Sequence, residues 1–390
     1  MSNSSNAESL TNKIFYSGIM VPQSQVYNVS IATYYIDRRG VTMQAKSRAL
    51  YEFGATFLGP ALHVYAESIE AEAEGHLPVC LAREGWCFHR LLTRLQRESS
   101  IELQHDPIYL RVSRTLLFRA MLGSETITPM ALGNDFSGSV LDLMRKRFGL
   151  QLHEIFAALP FELLRFQCEL PKDRELVFQW LTPHLQALKT VVSPTRKALV
   201  AYLERSGLMD PDKRPLMLDL GYSGTIQKIL THILERDTTG LYFIATKPGD
   251  AEISEHHALL KGVFHEGVGW REGCIMLERS LLFECLLTAP HGQMVDIRQK
   301  SNGEFEYFYG RQAATQRHFQ DLKTLFDGAI DHVVMCRRHG VNYTPADVQG
   351  LYEVFATRPN CIPHDVWHLF SVDDDITGNG IVNPMQMFAI

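Results

Sequence analysis

An acid followed by a short turn rich in glycine and hydroxyl residues, Asp219-Leu-Gly221-Tyr222-Ser223-Gly224-Thr225, separates an apolar run from a segment with helical spacing. Such a strand–turn–helix leaves the first backbone N–H groups of the helix unpaired at its positive dipole end, where they attract an anion. Gly221 and Gly224 let the backbone approach a phosphate, while Ser223 and Thr225 add hydroxyl donors. Asp219 falls at the carboxyl end of the strand, where open α/β sheets place ligand-binding groups. The bland alternative is an ordinary turn whose glycines only reverse the chain.

Two other apolar runs end in compact polar loops. Residues 77–82 run into Arg83-Glu84-Gly85-Trp86, and residues 107–112 run into Ser113-Arg114. If the three runs are parallel neighbours, all three loops emerge on one edge of the sheet. Arginine forks match phosphate oxygens, and carboxylates suit sugar hydroxyls or Mg²⁺. A phosphorylated sugar carrying a diphosphate would use all of these groups. Both arginines could equally serve surface ion pairs. Glu84 could orient its loop, bind a metal-held water or act as a base, and Trp86 reads as core or ring wall. Glu284 stands in an apolar helical stretch, where a carboxylate needs a partner or a task. His291 follows in the turn Ala289-Pro-His-Gly292. Either residue is a candidate general base for an acceptor hydroxyl, and Asp219, Glu84, Glu284 and His291 form the catalytic candidates.

These residues require strands alternating with helices: an α/β fold with a parallel, twisted, Rossmann-like sheet. Residues 1–12 read as disordered. Residues 13–76 read as an N-terminal helical segment, interrupted at Gly59-Pro60. Residues 77–300 form the α/β core, with a strandless helical insertion at about 123–214 and a further strand at 240–245. Residues 301–390 read as a helical and mixed extension, with a hairpin near 303–310. His256, His257 and His265 are expected on surface loops, because Gly262 and Gly267 punctuate that region.

Composition narrows the function classes. The 390-residue chain carries a net charge of −6, which argues against a nucleic-acid surface. Its seven cysteines are odd in number and scattered, so buried reduced thiols are expected and no disulfide framework. Cys336 and His339 lack a second ligand pair at zinc spacing, and no metal ligand set is assigned. The stretch at 373–380 resembles part of a calcium loop without its final glutamate, and reads as a surface turn. The N-terminus has no signal-peptide pattern, and no apolar run is long enough to span a bilayer. A cytoplasmic protein is expected, with contact at the inner face of the membrane through a lipid-linked substrate left open.

The order of the three loops resembles that of phosphoribosyltransferases, which bind pyrophosphate at a glycine-containing loop and a 5-phosphate at a strand–acid–turn–helix. It differs in having Leu218-Asp219 where that family shows two adjacent acids, a loop about one residue shorter, and a longer insertion. Over roughly residues 45–300 the chain is more similar to a bacterial domain found beside haloacid dehalogenase-type phosphatases in capsule and O-antigen gene clusters. That domain shows AREG, YL-x-x-SR and D-x-G-x-x-GT-x-Q. This chain has Ala82-Arg83-Glu84-Gly85, Tyr109-Leu-Arg-Val-Ser113-Arg114 and Asp219-Leu-Gly221-Tyr-Ser-Gly224-Thr225-Ile-Gln227. The resemblance implies a phosphoribosyltransferase-like glycosyltransferase. It would move a 5-phosphoribosyl group from phosphoribosyl diphosphate (PRPP) to a glycan or lipid-linked glycan, with Mg²⁺ on the donor diphosphate. It also implies that Arg83, Gly85, Ser113, Arg114, Gly221, Tyr222, Ser223, Gly224 and Thr225 bind the donor. The phosphatase's own motif is missing, which implies a separate phosphatase as partner. Competing readings are a glycosyltransferase using a nucleotide sugar, and a non-catalytic sugar-phosphate-binding partner in polysaccharide assembly.

Overall fold

The computed structural model describes residues 45–371 and 382–388. The expected disorder at 1–12, the first part of the N-terminal segment and the turn at 373–380 lie outside the described residues.

Ten strands are described: β1 (His76–Leu81), β2 (Ile108–Leu110), β3 (Phe136–Ser139), β4 (Gln167–Leu170), β5 (Arg214–Tyr222), β6 (Thr238–Ala245), β7 (Gly249–Ile253), β8 (His256–Glu266), β9 (Met294–Gln299) and β10 (Phe305–Tyr309). Six form the central sheet in the order β2-β1-β5-β6-β8-β7. All neighbours are parallel except β7 and β8. The chain goes outward from β1 to β2, then reverses across β1 to β5. The gap between β1 and β5 is therefore the topological switch point, where open parallel sheets leave a crevice outside the strand ends.

Alternation along the strands builds a core on each face. Leu77, Val79 and Leu81 of β1 join Met217 of β5 on one side. Cys80 joins Leu216, Leu218 and Leu220 on the other. Near-continuous burial of these strands is what a parallel sheet covered on both faces requires. Helices Gly59–Glu72, Gly85–Arg97, Leu281–Leu286, Phe319–His339 and Pro345–Thr357 cover the second face. Arg114–Ala120, Leu185–Arg205 and Thr225–Leu234 cover the first.

Several sequence expectations need correction. The insertion is not strandless, since β3 and β4 pair antiparallel within it. They are four residues each and partly polar, too short for a period-two pattern to stand out. The break at Gly59-Pro60 is a π-helical turn, Gly54–Leu58, that runs on into the next helix; Pro60 has no N–H for the continuing ladder, and the wider turn just before it accommodates the proline. The histidine region is not loop but strand β8, and Gly262 pairs with Tyr242 at a register shift. A glycine inside a strand often marks such a bulge. His257 is exposed and His256 and His265 half-buried. The hairpin starts earlier than expected, with β9 at 294–299 and its turn at Gly303.

A buried ion cluster fixes the insertion to the core. Arg119, 1 % exposed, donates to Gly149 O at 2.8 Å and to Glu154 Oε2 at 3.0 Å. It also donates to Thr195 Oγ1 at 2.9 Å, and Asp296 of β9 lies 3.2 Å away. The pairing matters because a charge left alone there would be strongly unfavourable. This cluster sets the helix that begins at Arg114.

Candidate functional site

The three loops do meet on one edge. β1 pairs with β2 and β5 in parallel, with Leu81 opposite Leu110 and Cys80 opposite Leu218. After β1, Ala82 takes φ +57° and the chain passes through Arg83 and Glu84 into the helix at Gly85. A Cβ on Gly85 would lie 2.4 Å from the Cys80 carbonyl carbon. Close packing of helix on strand therefore accounts for this glycine, apart from any ligand. Arg83 Nη2 stands 3.8 Å from Glu84 Oε1.

After β2, Ser113 is buried and caps the helix Arg114–Ala120 by accepting from Leu116 N at 3.0 Å. Its hydroxyl proton goes to Met294 O of β9. That proton is committed to the fold, so the donor-binding role expected of Ser113 becomes one of holding Arg114, which is exposed beside it.

After β5 come the acid and the turn. Asp219 is buried, and its Oδ1 accepts from Leu220 N at 2.8 Å. Gly221 and Tyr222 end β5 opposite Ile244 and Ala245. Tyr222 donates its hydroxyl to Glu284 Oε1 at 3.0 Å. Ser223 and Thr225 bring their hydroxyls within 3.2 Å of each other. Gly224 precedes the helix Thr225–Leu234 with φ +67°, and a Cβ there would sit 2.3 Å from Leu260 Cδ2. That Cβ would point into protein, so left-handed backbone and packing dictate the glycine. The helix has no side-chain N-cap, which leaves its first amides available to an anion.

Two residues absent from the sequence candidates strengthen the anion case. Lys228 reaches back over the first turn and donates to Ser223 O at 2.8 Å. Burial lowers its pKa, and repulsion from Lys247 lowers it further. Lys247 follows β6, next to Thr246, whose amide donates to Tyr222 O at 2.9 Å. Two ammonium groups repelling one another beside open helical amides are suited to a phosphate. The position three residues beyond Thr225 is the available sequence signal for Lys228. Lys247 shows itself only once β6 is placed. Gln227, the buried last residue of the third motif, ties the helix to the sheet. Its amide donates to Thr238 O at 3.2 Å and Leu259 O at 3.1 Å, and its oxygen accepts from Tyr242 at 2.7 Å.

Three carboxylates at this edge, Asp219, Glu84 and Glu284, lie close enough to act on one another's charge. Burial raises the Asp219 pKa well above the usual range; Glu84 and Glu284 raise it further, and Arg114 opposes them. Glu284 is raised by burial and by Glu84, with Arg83, the Tyr222 hydrogen bond and Arg114 opposing. A carboxyl whose pKa is raised among other acids is suited to proton transfer or to a cation. Hard carboxylate oxygens suit Mg²⁺. Among the described residues, however, these three do not converge into a three-ligand cluster. They fit Mg²⁺ in its usual manner, held by one or two carboxylates together with its own waters and substrate phosphates.

His291 is brought to the same edge, but both ring nitrogens are engaged. Nδ1 lies 3.0 Å from Gly292 O and Nε2 2.9 Å from the Tyr109 hydroxyl. Burial lowers its pKa, with Arg111 and Arg83 nearby adding to the effect. Of the two candidates, His291 thus has both ring nitrogens engaged, while Glu284 accepts from Tyr222 through one oxygen. Trp86 packs against the core of the second face, edge-on to Phe319 at 5.0 Å and beneath Arg90 at 4.7 Å. Neither a protein-family model nor a curated protein matches the chain.

Proposed function

We propose that this chain is a glycosyltransferase that moves a 5-phosphoribosyl group from PRPP to a glycan hydroxyl and releases pyrophosphate. One observation carries the reading: three parallel neighbouring strands bring the cationic and acidic residues that follow them to one edge of the sheet at the switch point. Arg83 and Arg114 are assigned to the diphosphate, and Lys228, Lys247 and the amides from Thr225 onward to the 5-phosphate. Asp219 and Glu84 are assigned to the ribose hydroxyls and the waters of Mg²⁺. Bound Mg²⁺ would neutralise charge on the leaving diphosphate.

In the reaction the acceptor oxygen bonds to ribose C1 as the bond from C1 to the diphosphate oxygen breaks. The electron pair leaves with pyrophosphate, and Glu284 takes the acceptor proton. Attack opposite the leaving group turns an α-configured donor into a β-ribofuranosyl product. The product keeps its 5-phosphate, which a separate phosphatase would remove. The motifs shared with the polysaccharide-cluster domain point to a surface-glycan acceptor and to action on the cytoplasmic side of the membrane.

Calorimetry with Mg²⁺ tests the donor. PRPP should bind, ribose 5-phosphate should bind more weakly, and Arg83→Ala and Arg114→Ala should weaken PRPP while sparing the melting temperature. Loss of such a contact in the transition state should cost about a hundredfold or more in turnover. Tight binding of a nucleoside diphosphate sugar with none of PRPP would replace this reading with the nucleotide-sugar one. PRPP binding without transfer to any glycan would leave a sugar-phosphate-binding partner.

A further inference from the structure

Away from the crevice, three side chains with metal-ligating atoms converge on the surface. His318 ends the turn Ala314–His318, Asp321 lies in the first turn of helix Phe319–His339, and His368 comes from the turn His364–Leu369. Their ligand atoms all lie within 4.8 Å of one another, the one such group of three among the described residues. His368 Nε2 is 2.7 Å from Asp321 Oδ2, and the two imidazoles meet edge-on with centroids 4.9 Å apart. We propose that His318, Asp321 and His368 bind a divalent transition-metal ion of the zinc type, clamping the turn at 364–369 to the start of the long helix.

The donor set decides the class of ion. Two imidazoles and one carboxylate suit Zn²⁺ and its neighbours, whereas Mg²⁺ and Ca²⁺ favour oxygen throughout. His318 is exposed, which leaves room for water as a fourth ligand. No local spacing in the sequence announces the site, because His368 is 47 residues from Asp321. The clamp has something to hold: Val366 and Leu369 of the turn, and Phe370 after it, are buried in the core beside the helix. One chain segment also links it to the loop that carries His291. Gln316, two residues before His318, donates to Thr288 Oγ1 at 3.1 Å, Ala289 O at 2.8 Å and His291 O at 2.6 Å.

Lys46 gives the proposal a sign of its own. Its Nζ lies 2.8 Å from the same Asp321 oxygen that pairs with His368, so a metal ion must compete with an ammonium for that carboxylate. The test uses untagged full-length protein stripped by a chelator, titrated with Zn²⁺ by calorimetry and with Co²⁺ by visible absorption. One equivalent should bind in the micromolar range or tighter, and the melting temperature should rise. His318→Ala and His368→Ala should each weaken binding by more than about 100-fold, beyond the loss of a supporting partner. Lys46→Met should tighten it several-fold. His318 is exposed, so its variant should keep the native circular dichroism even if the His368 variant does not. Binding that is equal in wild type and His318→Ala would place the ion on other histidines and overturn the proposal. So would the absence of micromolar binding to the wild type.

Discussion

At the scale of single residues, the turn at 221–225 and the helix that follows it hold two kinds of residue that a sequence cannot tell apart. Gly224 looks like a residue kept small for a phosphate, but its φ of +67° and the Leu260 methyl 2.3 Å from a would-be Cβ assign it to the fold. Lys228 looks like an ordinary helix lysine, but its Nζ lies over the turn. Gly224→Ala should therefore lower stability, by about 1–3 kcal/mol for strained backbone plus overpacking, while the folded fraction keeps its donor affinity. Lys228→Met should do the reverse, weakening PRPP binding with little change in melting temperature. Melting curves and calorimetry on the two variants measure both quantities. A donor affinity untouched by Lys228→Met would remove the 5-phosphate from this turn. The residues at 83–85, 113–114 and 219–225 can be read from the sequence because each closes an apolar run. The structural task of Ser113 cannot, because its partner, the Met294 carbonyl, lies 181 residues away.

At the scale of elements, the strands whose neighbours bury them on both faces are visible in the sequence as unbroken apolar runs. The short or solvent-lapped ones, β3, β4, β7 and β8, are not. The pairing of helices Gly59–Glu72 and Phe319–His339 is equally hidden, since it depends on residues far apart. His63 and His332 meet there, both buried. Glu67 Oε1 lies 3.2 Å from His63 Nε2 without a hydrogen bond, and Arg337 is the nearby cation. His332 Nε2 lies 3.2 Å from the Tyr343 hydroxyl and 3.3 Å from Cys336 Sγ. Burial, followed by Arg337, lowers the His63 pKa from 6.5 to about 4. Burial, followed by His63, lowers that of His332 to about 3. The unfolded chain takes up protons below pH 6.5 that the folded chain refuses. The stability that these groups contribute is therefore complete above pH 6.5 and is lost as pH falls toward 4. A tenfold change in proton affinity corresponds to about 1.4 kcal/mol, so the loss should amount to several kcal/mol. Urea midpoints measured from about pH 7 down to about pH 4.5 should fall steeply in the wild type and more gently in His63→Met. Parallel slopes would show that this helix pair does not sense pH.

For the whole molecule, the two large cores of the described residues flank one sheet, and no disulfide ties either of them. The seven cysteines are all reduced thiols, six of them buried and Cys361 half-buried. Burial raises the thiol of Cys361 as well. A thiol reagent should label about one group in the native protein, slowly, and all of them after denaturation, with a reducing agent leaving the melting temperature unchanged. Rapid native labelling of several thiols would mean that the cores open more readily than their burial implies. The sheet's margins have a consequence for self-association. One edge is β2, only three residues long. The other is β7, five residues whose Asp250 and Glu252 are exposed. Brief, charged borders offer a poor template for strand addition by a second chain. Concentrated solutions should therefore be protected from fibrillar stacking through these two edges.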